Sequence, residues 1–369
     1  MRPNILFLLH LPPPVHGSSM VGQYIYGSSK IASLFSGRYI NLLASKNVSS
    51  SGKVSLSKIS SFVGIWFKLL AELLKQKPQL CYLALTVTGA AFYRDVLIVA
   101  LLKLFGVKRV YHLHNKGVKR WSDNRVHRLF YHFVFKDVDV ILLSKHLYSD
   151  IQDFVHASKF HICPNGIPNE NPNSKIQIPR EERSVVKILF LSNLIESKGV
   201  YALIEACSML KSKGISFQCD FIGGEGDITA ERFQAMVDQY NLADQVNFLG
   251  KKYDQEKFLA FVSADIFAFP THYPNECFPL VILEAMQYSL PVISTFEGGI
   301  PDVIEDGITG FLVPQKDVEA LASKLEFLIN NPKVRHQMGA AGRQKFENEF
   351  KLEVFENRLT DILQQIIDE

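Results

Sequence analysis

Short β-prone runs alternate with longer helical patterns along almost the whole chain, and this alternation constrains the fold more than any other feature. The first half has four such runs, at 5–9, 80–85, 109–112 and 138–143, and the second has six, at 187–191, 217–222, 246–249, 266–269, 291–294 and 310–313. Alternating strands and helices predict parallel sheets covered by helices on both faces. We therefore predict an α/β chain of two doubly wound, Rossmann-like domains that face a central cleft, with ligands bound outside the carboxyl ends of the strands.

The charge of the chain changes sign between the two predicted domains. The formal net charge is +3, but residues 1–183 carry 24 Lys and Arg against 10 Asp and Glu, whereas the remainder carries 16 against 27. The switch coincides with a polar stretch containing Pro172 and Pro179, which is typical of a linker. We predict a first domain over 1–170, a linker over 171–183, a second domain over 184–345 and a C-terminal helix over 346–369 that packs back on the first domain.

Cysteine usage and hydropathy favour a cytoplasmic protein. The five cysteines are scattered and include no C-x-x-C pair, which favours reduced thiols over a disulfide framework or a zinc cluster. The N-terminal apolar run ends at Pro12 without the small-residue cleavage site of a signal peptide, and no run reaches the ~18–20 apolar residues that a bilayer span requires. No metal-binding cluster such as D-x-D in a suitable turn stands out, so we expect no metal site, and we also expect no nucleic-acid partner.

Two basic segments rich in aromatic and apolar residues lie in the first half, over 58–77 and 116–136, and the second contains Lys119, Arg120 and Trp121. Basic amphipathic helices with aromatic side chains suit an anionic membrane interface. The alternative is that the aromatic faces belong to the core and the lysines are merely solvated. Because both segments lie in the basic half, we predict a peripheral contact at the inner face of the cell membrane.

Two carboxylates follow the strand predicted at 266–269. Glu276 precedes an apolar helix in which Pro279 takes the first position, and Glu284 lies inside that helix. A buried carboxylate is costly unless it is hydrogen-bonded, so Glu284 either pairs with a basic side chain or accepts the hydroxyls of a bound sugar such as a ribose. Two residues eight apart on one helix lie ~12 Å apart. The acid and nucleophile of a retaining glycosidase are ~5 Å apart, so we predict different roles for these two carboxylates.

Three loops after predicted strands suit a phosphate group. Gly298 and Gly299 precede a short helix, whose first amide groups favour anions. The Gly-Gly-Glu-Gly run at 223–226 lacks the third glycine of a dinucleotide fingerprint, which disfavours a nicotinamide dehydrogenase. The third loop carries Lys198, a mobile cation at a strand–helix turn.

Together these motifs resemble the signature of glycosyltransferase family 4, whose members are retaining, nucleotide-sugar-dependent enzymes of the GT-B fold. The resemblance rests on residues 275–280, 284–286, 290–293, 298–301 and 306–310, and it extends to 165–167, 198–199 and 223–226. It implies a hexosyltransferase that moves a hexose or N-acetylhexosamine from a UDP- or GDP-linked donor. The acceptor would be a glycan or a lipid-linked intermediate of a bacterial polysaccharide, such as O-antigen or capsule, and no metal would be needed.

The resemblance also assigns roles to individual residues of the second domain. Glu284 would bind the nucleotide ribose, Lys198 would neutralise the diphosphate, and Glu276 would act on the donor sugar. The remaining donor-binding residues would be Gly224, Glu225, Phe278, Pro279, Leu280 and Asn193, the last of which stands where the family usually has an arginine.

The first domain matches the family more loosely. The loop after its first strand carries His16 and Gly17, and it resembles the family's loop that faces the donor phosphate and the acceptor. His114, at the end of another strand, resembles the cleft histidine that hydrogen-bonds the donor sugar. By the resemblance, Glu276, His114 and Lys198 are the catalytic residues.

No motif contains an obvious covalent nucleophile. We therefore expect the acceptor hydroxyl to attack the sugar on the face that the diphosphate leaves. Two alternatives use the same phosphate sites: a nucleotide-sugar epimerase, which needs no acceptor, and a catalytically inactive nucleotide-sugar-binding subunit.

Overall fold

The structure is a computed structural model that describes residues 2–43, 56–170 and 185–369, with the backbone alone over 56–61. The chain forms two compact units. Unit 1 comprises Met1–Gly166 and Leu352–Glu369, and unit 2 comprises Ile167–Lys351. The predicted linker, 171–183, lies outside the described residues. No helix within the described ranges combines the length and the apolarity that a membrane crossing needs.

Unit 1 contains a six-stranded parallel sheet in the order β2-β1-β3-β4-β5-β6. Its strands are β1 (Asn4–Leu9), β2 (Ser36–Asn41), β3 (Leu80–Leu83), β4 (Arg109–Leu113), β5 (Asp139–Leu142) and β6 (Phe160–Ile162). The sequence did not predict β2 and β6. Both are edge strands whose residues are mostly half-buried, so neither has the continuous apolar run by which central parallel strands are recognised.

Unit 2 contains a second six-stranded parallel sheet, in the order β12-β11-β10-β7-β8-β9. Its strands are β7 (Val186–Leu191), β8 (Phe217–Ile222), β9 (Val246–Phe248), β10 (Ile266–Phe269), β11 (Val292–Thr295) and β12 (Gly310–Val313). All six lie within one residue of the runs predicted from the sequence. Their inward-facing apolar side chains are buried because helices cover both faces of the sheet.

The helices connect these strands in the alternation that the sequence predicts. They are α1 (Gly17–Gly27), α2 (Ser29–Leu34), α3 (Leu56–Lys75), α4 (Gly89–Leu104), α5 (Val118–Trp121), α6 (Arg125–Phe135), α7 (Tyr148–Ile151), α8 (Val200–Ser212), α9 (Ala230–Gln239), α10 (Asp254–Ser263), α11 (Leu280–Gln287), α12 (Ile300–Val303), α13 (Val318–Asn330), α14 (Pro332–Lys345) and α15 (Leu352–Asp368).

The C-terminal segment is not the continuous helix that the sequence predicts from residue 345 onward. A π turn over Phe346–Phe350 follows α14, and Lys351 is extended before α15 begins. The break has a packing cause, because the apolar residues on its two sides are buried in different units. Phe350 packs on the Phe278 ring, 5.8 Å away, in unit 2, whereas Phe355 and Leu359 are buried in unit 1.

Helix α15 belongs to unit 1 through contacts with a strand and with helix α2. The Phe355 ring stacks on His112 of β4 at 6.5 Å. The Lys108 ammonium group donates to the Ile366 carbonyl, and Lys30 of α2 donates to the Asn357 side chain. These contacts are spread along the helix, so its buried face is held over most of its length.

Candidate active site

The strand order of unit 2 creates a crevice between β7 and β10. These strands are neighbours, but the chain leaves β7 toward β8 and returns to β10 only after β9, so their connections diverge on opposite sides. In open parallel sheets, ligands bind outside the carboxyl ends of strands at this kind of switch point. The loop after β7 carries Lys198, and the loop after β10 carries Glu276.

Lys198 and Glu276 form an ion pair, with the Lys198 Nζ donating to the Glu276 Oε2. The two side chains are 15% and 11% exposed, and the Lys198 ammonium also lies 4.4 Å from the centre of the Tyr273 ring. The structure therefore brings together the cation and the carboxylate that the sequence predicted to act on the diphosphate and on the sugar.

Backbone contacts hold the loops of this ion pair in place. The His272 amide donates to the Ser197 carbonyl at 2.7 Å. Gly199 adopts φ +91°, and a Cβ there would overlap the Pro270 carbonyl oxygen. Glycine meets both demands, since it has no Cβ and favours the left-handed region. Gly199 thus lets the loop after β10 pack against the loop after β7, and this packing positions the neighbouring Lys198.

A third loop supports Glu276 from the other side. The Gly299 amide donates to the Cys277 carbonyl at 2.6 Å, and a Cβ at Gly298, which has φ +57°, would overlap the Glu276 carbonyl oxygen. This glycine pair was predicted as an anion site, which stays a prediction. In the structure the pair holds the backbone on both sides of the Glu276–Cys277 peptide.

Helix α11 begins one residue later than predicted. Pro279 is its N-cap, with φ −71° and ψ 117°, rather than its first residue, and Leu280 is the first helical residue. No side chain caps this end, so its first amide groups lack a side-chain partner and carry the positive end of the helix dipole. Phe278 is buried, and its ring packs against Phe350.

Glu284 lies in the second turn of α11 and is paired on one side only. Its Oε1 accepts a hydrogen bond from the Lys257 Nζ at 2.7 Å, whereas its Oε2 is buried and has no hydrogen-bond partner. Burial raises the pKa of the Glu284 carboxyl, and the nearby Lys257 ammonium opposes this shift. Pairing with a basic side chain, one of the two alternatives considered for Glu284, accounts for one oxygen. The other oxygen retains the capacity to accept hydroxyls.

The loops after β7 and β8 are joined through Asn193. Its Oδ1 accepts the Gly224 amide at 3.0 Å, and the Leu194 amide donates to the Gly224 carbonyl at 2.7 Å. Glu225 turns away from this junction, because its Oε1 accepts the Ala230 amide at 3.1 Å at the start of α9. Of the residues predicted to bind the donor in this loop, Gly224 and Asn193 therefore lie together and the Glu225 side chain supports a helix.

Three side chains of the site were not predicted from the sequence: Lys257, Lys251 and Tyr273. Lys257 lies 27 residues before its partner Glu284, and Lys251 lies 27 residues after Gly224, over which its side chain extends. Neither has a local signal, because a lysine on a helix or loop normally indicates a solvated surface. Tyr273 lies four residues after the end of β10, and its position in a loop at a strand end was the one available clue.

Unit 1 has its own switch point, between β1 and β3, and the loop after β1 contains two predicted residues. His16 is the N-cap of α1, where its Nδ1 accepts the Ser19 amide at 3.3 Å. Ser18 bridges His16 and His10, with its Oγ 3.2 Å from the Nδ1 of each ring. Gly17 opens α1, and open space surrounds the position that a Cβ would take there. Packing within the unit therefore does not require a glycine at 17.

His114 is half-buried at the carboxyl end of β4, beside the buried His112. The His112 and His114 ring centres are 4.2 Å apart, and the His112 Nδ1 is 2.6 Å from the Tyr82 hydroxyl. Burial lowers the pKa of His114 to about 3, with a further contribution from His16. His114 is therefore a neutral imidazole at neutral pH, able to accept or donate a hydrogen bond without carrying charge.

Lys119, Arg120 and Trp121 form most of the short helix α5. The Lys119 and Arg120 side chains are exposed. The Trp121 ring packs edge-on against His127, 4.8 Å away, so it is partly covered by α6. The Asp150 carboxylate accepts the amides of residues 117–119, so the N-terminus of α5 is capped from within the unit.

Helices α3, α4 and α6 pack side by side and expose a row of large apolar side chains, which we call the helix face. Its members are Val63, Phe67, Leu74, Tyr93, Leu97, Leu104, Val126, Leu129 and Phe133. The inner sides of the same helices are buried, at Leu69, Val99 and Tyr131, for example. Each of these helices therefore has a buried core side and an exposed apolar side. The core alternative accounts for the inner sides, and the membrane contact stays a prediction. Lys58 is among the residues whose side chains are not described.

No group of three or more His, Cys, Asp or Glu residues in the described part of the chain has the geometry of a metal site. Unit 2 offers a paired lysine and glutamate, an uncapped helix N-terminus and a buried carboxylate with one oxygen unpartnered. This set suits a ligand that carries both a diphosphate and sugar hydroxyls.

Comparison with known proteins shows which family this part of the chain resembles. Residues 173–345 match the family described as Glycosyl transferases group 1. This span is a group 1 glycosyltransferase domain. It covers the Lys198–Glu276 ion pair, Glu284 and the loops that position them.

Two curated glycosyltransferases and one solved structure are also similar to this chain. The amylovoran biosynthesis glycosyltransferase AmsK of Erwinia amylovora is 31% identical over 271 residues, which are 72% of this chain and 66% of AmsK. The capsular polysaccharide biosynthesis glycosyltransferase CapM of Staphylococcus aureus is 27% identical over 247 residues, 64% of each chain. HepE of Anabaena, solved in complex with UDP, superposes with a TM-score of 0.75 at 18% identity and covers 99% of this chain and 100% of HepE.

These likenesses confirm the predicted fold, since the group 1 glycosyltransferase domain and its companion unit together have a GT-B-like α/β architecture. The matches span between 45% and 66% of the length of the first curated relatives.

Proposed function

We propose that this chain is a retaining glycosyltransferase of family 4. It would move a hexose or N-acetylhexosamine from a UDP- or GDP-linked donor to a hydroxyl of a glycan or lipid-linked acceptor in cell-surface polysaccharide biosynthesis. The observation that carries the proposal is the Lys198–Glu276 ion pair at the β7/β10 crevice of a group 1 glycosyltransferase domain. The names of AmsK and CapM support the setting, and the UDP complex of HepE supports a nucleotide donor.

The Lys198 ammonium would leave Glu276 for the donor diphosphate, because a phosphate group carries more charge than a single carboxylate. Glu276 would then accept hydroxyls of the sugar, beside the first amides of α11. Glu284 would receive the ribose hydroxyls on its unpartnered Oε2. His114, neutral in the fold, would donate or accept a hydrogen bond to the sugar being transferred.

The bond between the anomeric carbon and the phosphate oxygen breaks with its electron pair going to the diphosphate. The acceptor hydroxyl oxygen bonds to the same face of that carbon, and its proton passes to the leaving phosphate oxygen. Lys198 and the positive end of α11 stabilise the developing charge, and a preorganised donor of this kind contributes about 10²–10³-fold in rate. Lys198→Ala should lower kcat/KM by that factor.

A thermal-shift screen against UDP-, GDP- and ADP-sugars tests the donor, because a ligand specific for the folded state raises its melting temperature. Turnover is then measured with and without a glycan acceptor. Product that forms only with the acceptor, in the donor's anomeric configuration, supports the proposal. Inversion of the anomeric centre, a covalent sugar trapped on Glu276, or epimerised donor formed without acceptor would each overturn it.

We also propose that unit 1 binds the surface of an anionic membrane through the helix face. Exposed lysines and arginines lie on or beside its helices, including Lys68, Lys75, Arg125, Arg128 and Lys136. Apolar side chains that enter the headgroup boundary and cations that meet anionic lipids are the two components of interfacial binding. This placement suits a cytoplasmic enzyme that acts on a lipid-linked acceptor.

A further inference from the structure

Asn193 occupies the place of a cation in the family that the sequence resembles, and its side chain has a different task here. The Asn193 Oδ1 accepts the Gly224 amide at 3.0 Å, so the amide group links the loops after β7 and β8. A neutral side chain used in this way adds no charge to the crevice. Any second cation for a diphosphate must come from another part of this edge of the sheet.

Lys251 reaches this place from the neighbouring loop. It follows β9, whose end is tied to the β8 loop by a hydrogen bond from the Gly223 amide to the Gly250 carbonyl at 2.9 Å. The Lys251 side chain lies across Gly224, where a Cβ would overlap the Lys251 Cε. That Cβ position is 3.3 Å from the Lys251 Nζ and 3.1 Å from the Asn193 Oδ1, so the ammonium group and the Asn193 amide are neighbours.

The charge of Lys251 is not matched by an acid in the described residues, unlike that of three other lysines of unit 2. Lys198 pairs with Glu276, Lys257 with Glu284, and the adjacent Lys252 with Glu256 at 2.7 Å. Lys251 is exposed, and its stem covers a glycine rather than an apolar surface. A lysine ammonium on a flexible stem acts as a movable point charge, which suits a phosphate group.

We infer that Lys251 supplies the second cation for the donor diphosphate, in place of the arginine that Asn193 replaces. The inference rests on the proposed function, since it assumes a nucleotide-sugar donor. It also explains why a glycine stands at 224, because any side chain there would displace the lysine from Asn193.

The test compares Lys251→Ala with Lys252→Ala, a matched control that removes the adjacent, acid-paired lysine. Calorimetry measures the binding of UDP and of uridine, or of GDP and guanosine if GDP-sugars give the larger thermal shift. We expect Lys251→Ala to weaken nucleoside diphosphate binding about tenfold and to leave nucleoside binding unchanged, whereas Lys252→Ala changes neither. Adding Asn193→Arg to Lys251→Ala should restore most of the lost affinity, because a guanidinium at 193 would occupy the same place.

Wild-type affinity for the diphosphate in the Lys251→Ala variant would overturn the inference. An equal loss for the diphosphate and the nucleoside would overturn it as well, since that pattern indicates a contact with the base or a structural effect. Failure of the proposed function looks different, because the wild-type protein would then bind no nucleotide sugar at all.

Discussion

At the scale of single residues, the buried ionisable groups of this chain are balanced in two different ways. Two carboxylates near the unit 2 crevice are paired with lysines, in Lys198–Glu276 and Lys257–Glu284. Near the carboxyl edge of its sheet, unit 1 buries His10 and His112 and half-buries His114, and desolvation lowers the pKa of each ring, so that they remain neutral. A lysine or glutamate of an ion pair can leave its partner to bind an ionic ligand, whereas a neutral imidazole can hydrogen-bond an uncharged hydroxyl.

Replacement of Glu284 tests its role in binding the nucleotide. A hydrogen bond to a charged group is worth about 1.5–3 kcal/mol, so Glu284→Ala should weaken UDP binding by roughly 10–100-fold in calorimetry if the donor is a UDP-sugar. In the Glu284→Ala variant, removal of the 2′-hydroxyl of the ribose should cause no further loss of affinity. We therefore expect 2′-deoxy-UDP and UDP to bind this variant with the same affinity. Glu319→Ala, which removes an exposed glutamate of α13, is the control. Unchanged UDP affinity would reduce Glu284 to a structural partner of Lys257.

The stability of unit 1 should fall in mild acid because of its neutral histidines. The pKa of His114 is about 3 in the fold against 6.5 as its ordinary value, so the unfolded chain binds the extra proton first. The stabilising effect is complete above pH 6.5 and is lost as the pH falls from 6.5 toward 3, at about 1.4 kcal/mol per pH unit for each such group.

Fluorescence can follow unit 1 alone, because both tryptophans, Trp66 and Trp121, lie in it. His114→Gln should reduce the slope of the unfolding free energy against pH between 6.5 and 5. His132→Gln, which replaces an exposed histidine of α6, should leave that slope unchanged. Identical slopes in the wild type and His114→Gln would show that His114 does not remain neutral through burial.

At the scale of elements, the unit 2 site depends on glycines that let loops from different strands touch. At Gly199 the β7 loop packs against the β10 loop, and at Gly223 the β8 loop packs against Ser192. At Gly298 the β11 loop packs against the backbone of Glu276. A glycine-rich stretch in the sequence indicates such approaches, but it does not say which loop approaches. The partners are separated by up to tens of residues and are chosen by the sheet order.

Gly298→Ala tests the clamp on Glu276, with Gly307→Ala as its matched control. Both glycines have positive φ, +57° and +79°, but only at 298 would a Cβ overlap the backbone of Glu276. The conformational cost alone is about 1–2 kcal/mol. We expect Gly307→Ala to lower the free energy of unfolding by that conformational cost. Gly298→Ala should cause a larger loss of amide exchange protection over 270–300 and should also weaken UDP binding. Equal effects of the two substitutions would contradict the clamp.

At the scale of the whole molecule, the charge division follows the two units. Unit 1 carries 22 Lys and Arg against 12 Asp and Glu, a balance of +10, and unit 2 carries 18 against 25, a balance of −7. The acidic helix α15 lowers the balance of unit 1 from the value for its N-terminal part alone. Unit 2 is acidic as a whole, so under the proposed function it would hold an anionic donor by local groups such as Lys198, Lys251 and the start of α11.

Membrane binding is the prediction that belongs to this scale. The three most exposed leucines of the helix face are Leu74, Leu104 and Leu129, which are 70%, 81% and 69% exposed. Replacing all three by serine should weaken binding to vesicles of equal parts phosphatidylglycerol and phosphatidylcholine at least tenfold in sedimentation, because each buried leucine contributes about 1.5–3 kcal/mol. The matched control replaces three exposed apolar residues of unit 2, Leu249, Leu259 and Ile308.

Salt should weaken the binding of the wild-type protein, since the basic side chains are screened. Absence of wild-type binding to these vesicles at low salt would contradict the proposal. If the triple serine variant instead abolished self-association measured by light scattering, the helix face would be assigned to a second copy of this chain.

The sequence by itself determined the parallel α/β architecture, the six strands of unit 2 and the group of motifs around Lys198, Glu276 and Glu284. These depend on local patterns: apolar runs of strand length, glycines at turns and a proline beside a helix start. All are readable because neighbours along the chain produce them.

Only the tertiary structure decided the remaining features, because they depend on residues that are distant in sequence. They include the Lys198–Glu276 and Lys257–Glu284 ion pairs and the position of Lys251 across Gly224. The break of the C-terminal segment at Lys351 is another such feature. The tertiary structure also added the half-buried edge strands β2 and β6, which lack an apolar run. The order of strands in a sheet determines which loops meet at its edge, and no local pattern contains that order.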